Sequence, residues 1–178
     1  MPDFTVISTG GTFAHLKNFL NNDLHSRLIP VNDYTGQPEM EGGLVKTLDY
    51  KIYLGILSEQ HNLIHRQDLI RSGSVPIDMV IVNLYPFEKT VSETGTTFED
   101  ARGNIDIGGP CMLRAACKNF HRVLPISDPV QYPEILKELT ENKGRVSLKT
   151  RYLGAKAGFS HTSKYDTIIS DFLEKQDY

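Results

Sequence analysis

Ser8-Thr9-Gly10-Gly11-Thr12 sets three hydroxyls and two glycines directly after a short apolar run that includes Phe4, Val6 and Ile7. That order predicts a strand that stops abruptly and a helix that begins at Thr12. Such a junction binds anions. Glycine lets backbone come close to a ligand, the first helical N–H groups have no partner within the helix, and the helix dipole favours negative charge there. Two further stretches carry chemistry. Asn83-Leu84-Tyr85-Pro86-Phe87 ends the apolar run VIVNLYPF with an amide, a phenol and a proline that stops the ladder. Asn104-Ile105-Asp106-Ile107-Gly108-Gly109-Pro110 opens a helix that carries Lys118 and Asn119. A fourth stretch, Asn32 to Tyr50, contains Lys46 and Thr47 and is too rich in glycine and turn formers for a regular element.

These stretches must be positioned by a framework, and the pattern predicts strands alternating with helices. Short apolar runs at Thr5 to Ile7, Leu28 to Val31, Ile77 to Asn83 and Val123 to Ser127 have the form of buried strands. Helical periodicity covers Thr12 to Asn21, His61 to Arg71, Pro110 to Asn119, Val130 to Asn142 and a long C-terminal stretch from Ser147 to Glu174. This order implies an α/β domain with a mainly parallel sheet and helices on both faces, whose ligands sit beyond the carboxyl ends of the strands.

Size and composition narrow the function classes. The 178 residues suit a single domain spanning 1–178, and the apolar fraction of 39% is ordinary for a soluble protein. No apolar run reaches bilayer length, and the N-terminus lacks a secretion-signal pattern. The net charge of -3 is spread among mixed signs, which argues against nucleic-acid binding. Cys111 and Cys117 lie too far from other ligand types for a zinc site, so no metal is expected and a reducing cytoplasm is the expected setting.

Read together, STGGT, DYTGQPEMEGGLVKTL, PIDMVIVNLYPFEKTV, NIDIGGPCMLRAACKN and AKAGFSHTSKYDTII resemble, in order and over most of the chain, the inosine monophosphate cyclohydrolase domain of the bifunctional purine-biosynthesis enzymes. Five motifs in series are specific where any one is weak. The resemblance implies a methylglyoxal-synthase-like three-layer α/β sandwich. It also implies a purine ribonucleotide substrate: 5-formamidoimidazole-4-carboxamide ribonucleotide loses water to become inosine monophosphate, without a cofactor. A homodimer is implied by the resemblance alone.

The family's catalytic set maps to Lys46, Tyr85, Asp106 and Lys118. Tyr85 and Lys46 are expected to polarise the formyl oxygen, and Asp106 with Lys118 to move protons. The nucleotide phosphate is expected at Ser8, Thr9, Gly10, Gly11 and Thr12, with Lys46 and Thr47 close to that end. Asn83, Ile107, Gly108 and Gly109 are expected at the base or ribose. Each residue also has a plainer role: Asp106 as a helix cap, Lys118 as a cation at a helix C-terminus, Tyr85 as a rim aromatic, Lys46 as a surface lysine.

The departures bear on activity. The family usually begins with a further strand, a Ser-Asp-Lys-Thr-Gly loop and a helix, and the present sequence is expected to lack that first strand–helix unit, leaving a sheet edge for a partner to cover. Leu44 stands where the family usually has an arginine, Asp49-Tyr50 replaces a His-Pro, and Phe120 replaces a histidine. Fewer cations imply weaker phosphate affinity. A second reading therefore stands beside the first: a catalytically degenerate purine-nucleotide-binding module of the same fold. Methylglyoxal synthase, a phosphate-eliminating lyase, shares the fold but lacks the LYPF and NIDIGG motifs.

Overall fold

The computed structural model describes residues 4–38 and 46–176, the side chains of residues 22 and 23 excepted. Four short strands run in chain order: β1 (Val6–Ser8), β2 (Leu28–Pro30), β3 (Met79–Ile81) and β4 (Leu124–Ile126). Three lie inside the runs that the apolar pattern marked, and β1 is shifted by one residue from the expected Thr5 to Ile7. They pair in parallel, as expected, but as two separate two-stranded ladders. In one, Val6 stands opposite Leu28 and Ser8 opposite Pro30; in the other, Met79 stands opposite Leu124 and Ile81 opposite Ile126. Pro125 in the middle of β4 has no N–H to give to a further strand, which makes β4 an edge.

The helices supply most of the burial. They are α1 (Gly10–Phe19), α2 (Asn22–His25), α3 (Val31–Thr35), α4 (Tyr50–Leu57), α5 (Leu63–Ser72), α6 (Phe87–Ser92), α7 (Phe98–Gly103), α8 (Gly108–Lys118), α9 (Tyr132–Glu141) and α10 (Leu148–Glu174). The main core joins both ladders: Val80, Val82 and Val123 pack with Ile52 and Ile56 of α4 and Ala116 of α8, and Ile7 of β1 packs against the same cluster. A second cluster buries Phe87 edge-on to Tyr165 and Phe172 of α10.

Three expectations need correction. The first helix begins at Gly10 rather than Thr12, with Thr9 in extended conformation as its N-cap, so both glycines belong to the first turn. The stretch from Asn32 to Tyr50 is not wholly irregular: α3 occupies its start, closed by Gly36 at φ 78°, and Tyr50 opens α4, which Asp49 caps by accepting from Lys51 N–H at 2.8 Å. The helix expected from Val130 to Asn142 divides into a 3-10 turn, Pro129–Gln131, and then α9, with prolines at both helix starts. Leu44 lies outside the described residues.

The framework that holds the site is tied by Arg122, which links α4 to the lead into β3. Its guanidinium donates to the carbonyls of Ser58 at 2.9 Å, Ile77 at 3.1 Å and Ile56 at 3.1 Å. Asn119 donates to the Ile56 carbonyl at 2.7 Å from the adjacent turn. Helix α10 comes close at Gly154, where a Cβ would collide with the Pro125 carbonyl.

Candidate active site

Three loops meet where the strands and α8 begin or end. Behind β1, the N–H groups of Gly10, Gly11 and Thr12 open α1, and these first-turn donors have no acceptor within the helix. The Lys46 Nζ comes within 3.4 Å of the position a Cβ would take on Gly10, and the space around Gly11 is open to 4 Å. The cation thus stands over the positive end of α1, an arrangement whose common complement is an anion. Thr47, buried, packs its hydroxyl against Gly108 where any Cβ would clash. The lysine and threonine expected at the phosphate end therefore bridge the first turns of α1 and α8.

Asp106 sits one residue before the α8 cap. Its Oδ1 accepts from Gly109 N–H at 2.9 Å, and its Oδ2 and Leu84 fill the space a Gly109 Cβ would need. The capping role is thus real, and it fixes the carboxylate at the mouth of the site. The Asp106 backbone N–H donates to the Tyr165 phenol oxygen at 2.8 Å. Burial pushes the Tyr165 phenol above its ordinary pKa, and the neighbouring charges of Asp106, Asp166 and Tyr85 act in the same direction. Tyr85 itself is 58% exposed, at the turn after β3 where its carbonyl accepts from Phe87 N–H at 2.8 Å. Ile107 is exposed at the same mouth.

The structure thus gathers Ser8 to Thr12, Lys46, Thr47, Asp106, Gly108 and Gly109, and places Tyr85 near Asp106 through their shared neighbour Tyr165. Lys118, expected to move protons with Asp106, stands at the other end of α8. Lys118 is exposed in the last turn of α8, about 15 Å of helix axis from Gly108 at 1.5 Å per residue. Asn83 faces a separate hollow beside Ser127 and His161.

Tyr165 and that hollow were not among the expected site residues. The signal for both lies in the tail motif: His161 and Tyr165 are four apart on one helix and so share a face.

The chain resembles known proteins over most of its length. Residues 2–111 match the family model described as the MGS-like domain, and residues 116–178 match that of the AICARFT/IMPCHase bienzyme. The chain belongs to the MGS-like domain family. It is 46% identical over 171 residues to the bifunctional purine biosynthesis protein PurH of a Nostoc species, covering 96% of this chain and 33% of that one. PurH of Neisseria gonorrhoeae is 45% identical over 168 residues, covering 94% and 31%. The chain thus spans about a third of the length of the curated relatives it matches. Among solved structures, that of ForH superposes with a TM-score of 0.78 at 30% identity, covering 95% of this chain and 85% of that one.

Proposed function

We propose that the chain closes the second ring of a purine ribonucleotide, converting 5-formamidoimidazole-4-carboxamide ribonucleotide to inosine monophosphate. The observation that carries this reading is the meeting of Lys46 with Gly10 and of Thr47 with Gly108, which sets an anion site and the Asp106 carboxylate around one mouth. The likeness to PurH proteins and to the bienzyme model supports the same reading.

In the reaction the carboxamide nitrogen attacks the formyl carbon of its own molecule. A nitrogen–carbon bond forms, the formyl carbon–oxygen bond breaks, and the oxygen leaves as water with one hydrogen from each nitrogen. Proximity comes from the substrate, so the protein must hold the reactive rotamer, steady the oxyanion and move protons. The α1 first turn and Lys46 bind the 5'-phosphate. In this proposal Lys46 is a phosphate ligand rather than a partner of the formyl oxygen, which its place beside Gly10 supports. Tyr85 donates to the formyl oxygen, and Asp106 accepts the proton of the attacking amide through the oxygen not bonded to Gly109. A positioned base of this kind contributes about 10²- to 10⁴-fold. A cytoplasmic setting and a homodimer belong to the proposal.

The test is turnover by the purified chain, followed through the absorbance of inosine monophosphate. Ring closure well above the buffer rate, lost in Asp106→Asn, supports the reading. A chain that binds the product yet matches the buffer rate is a binding module instead.

A further inference from the structure

The candidate site is shared between two parts of the fold. The turn that opens α1 follows β1, and both α1 and α3 pack on the β1–β2 ladder. Asp106 and Gly108 stand at the start of α8, which packs on α4 and β3. Among the described residues no ladder hydrogen bond passes from one pair of strands to the other. A ligand gripped at both ends therefore depends on core packing and side-chain ties, not on a continuous sheet, to keep the two grips at a fixed distance.

Lys51, in the first turn of α4, reaches across this division. Its ammonium donates to the carbonyls of Tyr34 at 3.2 Å and Thr35 at 3.3 Å, the last two residues of α3. A helix leaves its last carbonyls without partners of its own, so the lysine supplies what α3 lacks. The same ammonium lies 6.0 Å from the centroid of the Tyr34 ring, and the Tyr34 hydroxyl accepts from the Val75 N–H at 2.9 Å. Val75 belongs with α4, because its carbonyl lies against Gly55. At its other end Lys51 is anchored by its backbone N–H, which donates to Asp49, a residue only 4% exposed. A cation at a helix C-terminus is favourable in itself. Here the neighbouring helix provides it, so the contact also sets where α3 stops relative to where α4 starts. Thr47, which meets Gly108, is four residues before Lys51.

We infer that Lys51 is a positioning residue that holds the α1 turn at a set distance from the Asp106 loop, so that the phosphate and the ring of one nucleotide are gripped together. It acts through the two helices and not on the ligand. The inference rests on the proposed function, in which the α1 turn holds the 5'-phosphate. Two grips on one ligand reinforce each other only while their spacing matches it. Without the tie each grip survives, and their joint effect falls.

Inosine monophosphate and inosine separate the two grips, since they differ only in the phosphate. In calorimetric titrations of the full chain, Lys51→Met should lower the preference for the nucleotide about tenfold, while inosine binds within about twofold of the wild type. Lys51→Arg keeps a cation with donors and should restore the preference to within about threefold. An unchanged preference in Lys51→Met, an equal loss of both ligands, or a loss that arginine does not restore overturns the tie. Should the methionine variant not fold, Lys51→Gln is read in its place by the same criteria. A wild-type chain that binds the two ligands alike overturns the phosphate reading itself, and the tie with it; a wild type that prefers the nucleotide beside an unchanged Lys51→Met loses the tie alone.

Discussion

The Asp106 backbone N–H donates to the Tyr165 phenol oxygen across 59 residues of sequence, at 2.8 Å. The same phenol points its proton at the Asn104 carbonyl at 3.4 Å, a long contact that adds little. Helix α10 thereby sets the height of the Asp106 loop over the α8 N-terminus. Tyr165→Phe keeps the ring packing against Phe87 and removes only the acceptor. It should cost about 1–2 kcal/mol in urea unfolding, because the Asp106 N–H loses its partner. The looser loop should lower kcat by about tenfold or more. Unchanged stability together with unchanged kcat would show that the bond does not position Asp106.

Asp106 serves both the helix and the proposed chemistry, and two substitutions separate those roles. Asn retains an oxygen for Gly109 N–H, so Asp106→Asn should unfold within about 0.5 kcal/mol of the wild type. Its turnover should still fall about 10²-fold or more. Asp106→Ala loses the cap as well and should cost about 1 kcal/mol in addition to activity. Equal turnover in the Asn variant and the wild type would leave the carboxylate with a structural duty only.

Much of this organisation was legible in the sequence. The strands were visible because each is a short apolar run ending at a turn former, and α10 was visible from its length. The turn that opens α1 was legible because glycines and hydroxyls directly after an apolar run mark a strand end and a helix start. What escaped were elements with too few residues to show a period. Helix α3 has five residues and α7 six, and each is held by a local bond: Gly36 closing the first and the Thr97–Asp100 capping box opening the second. The joint proton-moving role given to Asp106 and Lys118 came from the motif match alone; the two are twelve apart with a helix between them, a separation of about 18 Å if fully helical. Tyr165 escaped because its partner is a backbone N–H, which leaves no trace in residue types.

The glycines of the two helix starts should respond oppositely to a methyl group. Gly11 has open space around its Cβ direction and sits in helical conformation, so Gly11→Ala should leave stability unchanged or raise it by up to about 1 kcal/mol. The new methyl would occupy the mouth of the anion site, so binding of inosine monophosphate should weaken. Gly109→Ala would press into Asp106 and Leu84 and should cost about 1–3 kcal/mol. Thermal unfolding of both variants with and without the nucleotide checks the pair. A Gly11→Ala chain that binds the nucleotide as well as the wild type would move the anion site elsewhere.

Arg122 is a stability anchor, and its salt bridge is the lesser part of its effect. The Asp78 carboxylate at 3.2 Å is 85% exposed, so water screens that pair and it contributes little. The Arg122 side chain is largely buried, and burial lowers its pKa from the ordinary arginine value. Its carbonyl partners at Gly55, Ile56, Ser58 and Ile77 need the planar fork, which a lysine ammonium cannot reproduce. Arg122→Lys should therefore lose about 2–4 kcal/mol by urea denaturation, and Asp78→Asn less than about 1 kcal/mol. Comparable losses from both would assign the anchor to the ion pair.

Tyr53 offers a test in which pH supplies the control. Its hydroxyl is buried beside Cys111 without a hydrogen bond of normal geometry, and burial is the main cause that raises the phenol from 10.0 to about 12. A raised folded-state pKa means that the native state keeps its proton where the unfolded chain has lost it. The contribution is therefore complete below pH 10 and disappears as pH rises from there towards about 12. Near neutral pH the hydroxyl gains no bond from folding yet loses water, so Tyr53→Phe should match the wild type or exceed its stability by up to about 1 kcal/mol. Across the alkaline window the wild type should lose stability relative to the phenylalanine variant, which carries no proton there. Cys117, raised by burial to about 11, titrates in both proteins and cancels in the difference. Unfolding curves of the pair at neutral and alkaline pH decide the matter: a variant less stable by more than about 1 kcal/mol at neutral pH would mean that the phenol has a partner. A difference that does not change with pH would mean that the phenol is as well solvated in the fold as in the unfolded chain.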